Sequence, residues 1–288
     1  MISLFIDWTP SLGPVSIGSF IIRWYSACWS IGLVLAYIIV LKIYRQQKIE
    51  DEKFEPLFFY CFIGIILGAR LGHCIFYEPT HFLTSGRGII EMFLPIRYNG
   101  TGWVYRGYEG LASHGGTIGV IIAMILYARK VKMPMLHVID NVAIAVPVTA
   151  GFIRIGNLMN SEIVGNVTDV PWAFIFHTND AMVDGMLVPR HPAQLYEAIA
   201  YFIIFLVQLA IFKAKSNTTA TFKPGNGFYF GFCITTIFLF RFFVEFIKKE
   251  QVSFEQGMLF DMGQLLSIPF VLLGSWLMWR ASKQSNNA

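Results

Sequence analysis

Charge is what this 288-residue chain has least of: Asp, Glu, Lys and Arg supply 14% of it, where soluble domains carry about 25%. An oversized soluble core does not explain the deficit, because such a core would still need a charged surface. Cysteine is sparse too. Cys28, Cys61, Cys74 and Cys233 lie in or beside apolar runs, with spacing that fits neither a zinc site nor a disulfide framework. They read as small packing residues. The basic residues form no stripe, which argues against nucleic acid as a partner. No His–carboxylate metal spacing, Walker loop or dinucleotide loop is present, and there is no G-x-S-x-G elbow. No metal or other cofactor is expected. The N-terminal segment Met1–Asp7 has no basic region ahead of its apolar residues, so it is not expected to be a cleavable signal peptide.

What the chain has instead is 55% hydrophobic residues, gathered into runs long enough to cross a bilayer as helices. Seven spans are predicted, near 18–41, 57–77, 114–129, 137–158, 193–212, 227–247 and 261–280. Lys and Arg crowd after the first, third and fifth spans and in the C-terminal tail. By the positive-inside rule this places the N-terminus outside and the C-terminus in the cytoplasm. Lys248 and Lys249 run against that scheme. The long outward segments, 78–113 and 159–192, are rich in Gly, Trp, Tyr, Asn and Pro and are expected to fold as a small extracytoplasmic cap. The fold class predicted is therefore all-α, integral to the membrane, with residues 1–288 as one multi-span domain.

Ionisable side chains inside a span cost several kcal/mol unless partnered or hydrated, so each is a functional candidate. Arg70 and His73 share one face of span two, where Arg70 suits a structural ion pair or a site role equally. Gly64, Gly68 and Gly72 form a small-residue strip fit for close helix packing. At the start of span three Ser113 is a plausible N-cap. That leaves His114 in the first helical turn, either as a solvated end residue or, held neutral by the helix dipole, as a general base. In span four Arg154, Asn157 and Ser161 would lie on one stripe if the helix runs that far. With Asn160 and Glu162 they form a cation ringed by amides, suited to a phosphate, or a helix end satisfying its own cap. Arg241 and Glu245 stand at i, i+4 and either neutralise each other or add a second cation for an anionic substrate. His191, Tyr196 and Glu197 open span five at the same outer level. No covalent nucleophile is evident, which suits a phospholipid substrate attacked by a second substrate. An anion transporter, another lipid-headgroup enzyme or a structural scaffold are the competing readings.

Six segments in order resemble the prolipoprotein diacylglyceryl transferase family. They are Arg23-Trp-Tyr25, Ser113-His-Gly-Gly-Thr-Ile-Gly119, Arg154-Ile-Gly-Asn-Leu-Met-Asn-Ser-Glu-Ile-Val-Gly165, Arg190-His-Pro-Ala-Gln-Leu-Tyr-Glu197, Arg241-Phe-Phe-Val-Glu245 and Met262-Gly-Gln-Leu-Leu-Ser-Ile-Pro269. The resemblance implies a multi-pass enzyme of the bacterial cytoplasmic (inner) membrane. It would move the diacylglyceryl group of phosphatidylglycerol to the lipobox cysteine of a preprolipoprotein, leaving glycerol phosphate, and would act as a monomer among membrane lipids. Family positions fall on Tyr25, His114, Arg154, Asn157, Asn160, Glu162, Gly165, Arg241 and Glu245, with Arg70, Asp140, His191 and Glu197 matching lesser ones. On this reading Arg154 and Arg241 grip the phosphate and His114 takes the thiol proton. Tyr25, Asn157 and Asn160 orient the headgroup, and Glu162 and Glu245 orient the arginines. Two departures stand out: Ile237 replaces a family Tyr, and Lys248-Lys-Glu-Gln251 replaces an Arg-x-Pro-Asp pattern.

Overall fold

The computed structural model describes residues 5–11, 13–17, 20–107, 110–216, 219–249 and 260–286. In chain order its elements are β1 (Ile6–Trp8), β2 (Val15–Ile17), β3 (Phe20–Ile22), α1 (Trp24–Gln46), α2 (Asp51–Phe76), α3 (Pro79–Phe82), α4 (Gly86–Phe93), β4 (Ile96–Tyr98), β5 (Trp103–Tyr105), α5 (Ser113–Val131), α6 (Met135–Met159), β6 (Phe174–Phe176), β7 (Pro189–Arg190), α7 (Ala193–Lys215), α8 (Phe228–Glu245) and α9 (Met262–Asn286). The chain divides into two compact units, Met1–Ile43 with Ile139–Ala288, and Tyr44–Val138.

Each predicted span is a helix. Six of them, α1, α2, α6, α7, α8 and α9, are long and apolar enough to cross a membrane. The 23 residues of α1 rise roughly 35 Å, more than a hydrocarbon core of about 30 Å requires. These helices turn large apolar side chains outward, Val34, Phe59, Leu206 and Leu272 among them, each more than half exposed. In water such a surface would aggregate; in lipid it is the solvated one. The protein is a multi-pass helical membrane protein. The predicted first span begins late, because Phe20–Ile22 pairs antiparallel with Val15–Ile17 as a hairpin before α1 starts. Short strands also occupy the connecting segments, where an all-helical chain had been expected.

In the Tyr44–Val138 unit the glycine strip does what its spacing predicts. A Cβ on Gly72 would stand 2.7 Å from the Gly115 Cα, and one on Gly64 would stand 2.6 Å from the Ala123 Cβ. Helices α2 and α5 therefore touch backbone to backbone, and Gly115 and Gly119 serve that contact. Ser113 does not cap α5. The helix already begins at Ser113, with Ala112 extended at the capping position and its N–H donating to Ala69 O at 2.9 Å.

In the other unit β6 pairs parallel with β1 and antiparallel with β7. This sheet packs Phe174 and Phe176 against Leu158, Val164 and Trp8. The Trp8 indole donates to Leu158 O at 2.9 Å, satisfying a carbonyl at the end of α6. The last turn of α6 is thus held from below by apolar packing and from outside by a hydrogen bond.

Candidate active site

The last two turns of α6 present Arg154 and Asn157, three residues apart and therefore on one face. Arg154 Nη1 donates to Asn157 Oδ1 at 3.2 Å, and Asn157 Nδ2 donates to Glu162 Oε1 at 2.8 Å. Asn160 Nδ2 reaches the same Glu162 oxygen at 3.2 Å. The stripe does not extend to Ser161 as expected. Helix α6 ends at Met159, and Ser161 turns left-handed at φ 56°, which breaks the helical repeat. Ile163 is left-handed as well, at φ 59°, a conformation costly for a β-branched residue. Two such residues flanking Glu162 amount to backbone strain of the kind found at ligand sites. The Gln194 amide, donating to Glu162 O at 2.6 Å, helps hold it.

The first turns of α7 supply Glu197, which is wholly buried. Its Oε2 lies 3.2 Å from Arg154 Nε and 3.3 Å from Lys248 Nζ, ion-pair distances without hydrogen-bond geometry. Its Oε1 accepts from the Tyr201 hydroxyl at 3.0 Å. Glu245, at the end of α8, pairs with Lys248 Nζ at 3.1 Å. The i, i+4 neutralisation of Arg241 therefore does not form, because a nearer ammonium takes the carboxylate, which also acts electrostatically on Arg154. Among the described residues Arg241 has no ion-pair or hydrogen-bond partner, and it shares with Arg154 the electrostatic surroundings of the Tyr201 hydroxyl.

Glycine at 165 is required by packing. A Cβ there would lie 2.6 Å from the His191 Cβ and 2.8 Å from Ile247 O, so only a bare backbone lets the segment after α8 pair with Gly165 through Lys248. Arg190 sits beneath, donating to Ala181 O at 2.6 Å and Gly165 O at 3.1 Å. Burial pushes the His191 imidazole below its ordinary pKa, favouring the neutral ring, whose Nδ1 lies 3.2 Å from the Tyr196 hydroxyl. Tyr25, on the first turn of α1, has its Cα 3.1 Å from where a Gly156 Cβ would stand, so α1 and α6 approach closely beside this cluster.

One unit thus brings together Tyr25, Arg154, Asn157, Asn160, Glu162, Gly165, His191, Glu197, Arg241 and Glu245. The other predicted residues, Arg70 and His114, belong to the Tyr44–Val138 unit. Arg70 is buried and donates to Met92 O at 3.2 Å, Glu91 O at 2.7 Å and Gly110 O at 3.4 Å, while its guanidinium stacks over Phe82. Such contacts anchor the connecting segment that follows α2. His114 is exposed in the first turn of α5. Sequence reasoning missed Lys248 and Tyr201. Tyr201 was detectable as the i+4 neighbour of Glu197 on α7, whereas Lys248 lies beyond the end of α8 and reaches Glu245 through its bridge with Gly165. Of the departing segment Lys248–Gln251, Glu250 and Gln251 lie outside the described residues.

Three cations and three carboxylates share this cluster. Arg154 and Lys248 are in ion pairs, Glu162 accepts from amides, and Arg241 has no ion-pair partner among the described residues, although the six charges balance. A guanidinium left unpaired in this way suits an anion with several oxygens, since guanidinium forks match phosphate geometry. A family model described as prolipoprotein diacylglyceryl transferase matches residues 14–280. The phosphatidylglycerol–prolipoprotein diacylglyceryl transferase of Bacteroides fragilis is 52% identical over 284 residues, covering 98% of both chains. The protein of the same name from Tolumonas auensis is 39% identical across 94% of this chain and 95% of its own. That of Chloroherpeton thalassium is 36% identical across 98% and 97%.

Proposed function

This chain belongs to the prolipoprotein diacylglyceryl transferase family, and on that footing we propose that its cluster of cations binds the phosphodiester of phosphatidylglycerol while a cysteine thiol displaces it. The enzyme transfers the diacylglyceryl group of phosphatidylglycerol to a prolipoprotein. In the proposed step the lipobox cysteine loses its proton and its sulfur attacks the glyceryl carbon that bears the phosphate oxygen. The carbon–oxygen bond breaks as the carbon–sulfur bond forms. Glycerol phosphate leaves with the electron pair, and the product is a thioether. Charge grows on the departing phosphate, so fixed cations there favour the transition state over the ground state.

Arg241 carries this reading, being an intramembrane guanidinium without a partner among the described residues. Arg154, oriented by Glu197 and Asn157, supplies the second fork. Asn160 and Tyr25 face the headgroup, and Glu162 fixes the two amides. Gly165, His191 and Glu245 shape the wall. His114 is proposed as the base that accepts the thiol proton, since thiolate is the nucleophile; that role rests on its motif, Ser113–Gly119. Arg70 is proposed to act through the segment it anchors.

The proposed topology has seven spans, with α5 as the third, the N-terminus outside, and 78–113 and 159–192 as outward cap elements of one membrane domain. It is supported by Lys248, whose burial among carboxylates removes it from the loop charges that set orientation. The bacterial cytoplasmic membrane is the proposed location and the monomer the proposed state. The test is purified protein in phosphatidylglycerol vesicles with a lipobox peptide carrying Cys or Ser, read by mass. Addition of diacylglyceryl to Cys alone is expected, and to be abolished by Arg241→Gln. Transfer that survives Arg241→Gln unchanged would remove Arg241 from phosphate binding.

A further inference from the structure

Helical geometry alone would have Glu245 capture Arg241. The two stand four residues apart on α8, where oppositely charged side chains meet, and a partly lipid-buried setting strengthens such a pair. The capture does not happen. Glu245 instead turns to Lys248, 3.1 Å away, and is wedged against α9, where a Cβ on Gly263 would lie 2.6 Å from its Oε1. Lys248 is itself buried, its side chain 4% exposed. Its ammonium sits between Glu245 and Glu197. The backbone delivers it there: Asn166 N–H donates to Ile247 O at 2.8 Å and Lys249 N–H to Val164 O at 3.1 Å, which ties this segment to the strained loop carrying Glu162.

We infer that Lys248 is a positioning residue that sequesters Glu245 and so leaves Arg241 available to the lipid phosphate. The inference rests on the reading of Arg241 as a phosphate ligand. With the ammonium in place, Arg154 and Lys248 pair with Glu197 and Glu245, the amides of Asn157 and Asn160 hold Glu162, and Arg241 is the cation without an ion pair among the described residues. Without it, Glu197 keeps Arg154 and the partly buried Glu245 loses its counter-ion, a state a protein interior penalises strongly. Glu245 then swings to the next cation within reach, Arg241, and competes with substrate for it. A competitor that leaves about one molecule in ten competent raises the apparent KM about tenfold and changes kcat little.

The test uses full-length enzyme in phosphatidylglycerol-containing vesicles. Lys248→Met is expected to raise KM for phosphatidylglycerol roughly tenfold with kcat within a few-fold, and Lys248→Arg to retain the wild-type KM. Two double variants settle the matter even if Lys248→Met alone folds poorly, since each removes one of the carboxylates that lost the ammonium. Lys248→Met with Glu245→Gln is expected to recover the KM. Lys248→Met with Glu197→Gln, measured against Glu197→Gln alone, is not. Equal recovery in both doubles, or recovery in neither, overturns the inference, because a merely structural lysine would treat the two carboxylates alike. A normal KM in Arg241→Gln would instead overturn the phosphate-binding reading beneath it.

Discussion

Helix α6 carries a buried charge near one end and a partly buried one near the other, and the two are satisfied in opposite ways. Near its start Asp140, wholly buried, accepts N–H donors from Gly225 at 2.8 Å and from Gly227 and Phe230 at 2.9 Å. Those donors open α8, so the carboxylate meets the positive end of that helix dipole. Among the described residues every hydrogen bond it accepts comes from backbone, fixed in place once the fold forms. Near the other end Arg154 is held by side chains, Asn157 and Glu197, and a second guanidinium nearby is held by nothing among the described residues. The contrast separates a charge that builds the fold from charges kept for a ligand. Backbone donors cannot be traded for substrate oxygens, whereas side-chain partners can.

Substitution at the two ends should sharpen this division. The largest effect is expected at the Arg154 end. Arg154→Ala should cost roughly 100-fold or more in transfer rate, the scale on which single charge-stabilising groups act, while the protein still accumulates and melts near the wild-type temperature in detergent. Arg154→Lys, which keeps charge but loses the fork, should remain well below wild type. A collapse of folding with activity per folded molecule preserved would reverse the assignment of this end.

Asp140 should show the reverse pattern, with a smaller effect. Asp140→Ala leaves three N–H groups at a buried helix start without their acceptor, a loss of about 3 kcal/mol. The expected outcome is a lower melting temperature, with KM for phosphatidylglycerol unchanged in the fraction that folds. A rise in KM would mean the two ends of α6 are coupled, and the division would fail.

How much of this was readable beforehand follows from the same division. The spans were legible because their apolar runs repeat one chemical fact over about twenty residues, and the glycine strip because its spacing fixes a face. Arg154 and Arg241 were legible because charge in a span is rare, and Asn157 and Glu162 because they gather polarity around Arg154 at the end of that span. The pairing among them was not. Sequence spacing assigned Glu245 to Arg241, but the nearest cation came from Lys248, carried by a segment whose backbone pairs with Gly165 far away in the chain. Likewise Ser161 looked helical by spacing, and only the left-handed turn after Met159 removes it. Local rules give helices; long-range backbone pairing decides which carboxylate meets which cation.

Glu91, in α4 of the Tyr44–Val138 unit, mixes the two modes and gives the smallest and most discriminating test. It is buried, accepts the Tyr98 N–H at 2.9 Å as Asp140 accepts its donors, and faces His81 at 2.7 Å and Arg97 at 4.0 Å as the Arg154 cluster faces its partners. Burial alone would raise its pKa, but the Tyr98 N–H, His81 and Arg97 outweigh burial and hold the carboxyl below the usual range. A carboxyl depressed in the folded state stabilises it above the unfolded pKa, near 4.3, and that contribution is lost as pH falls through the lower, folded value. Exchange of the Tyr98 amide should therefore accelerate with acid in that window beyond its intrinsic trend. Glu91→Gln should flatten the response at a cost of about 1 kcal/mol, leaving the neutral-pH transfer rate within twofold of wild type. If the acid response persists in Glu91→Gln, another carboxyl secures this segment, and mixed backbone and side-chain satisfaction would not by itself mark a structural charge.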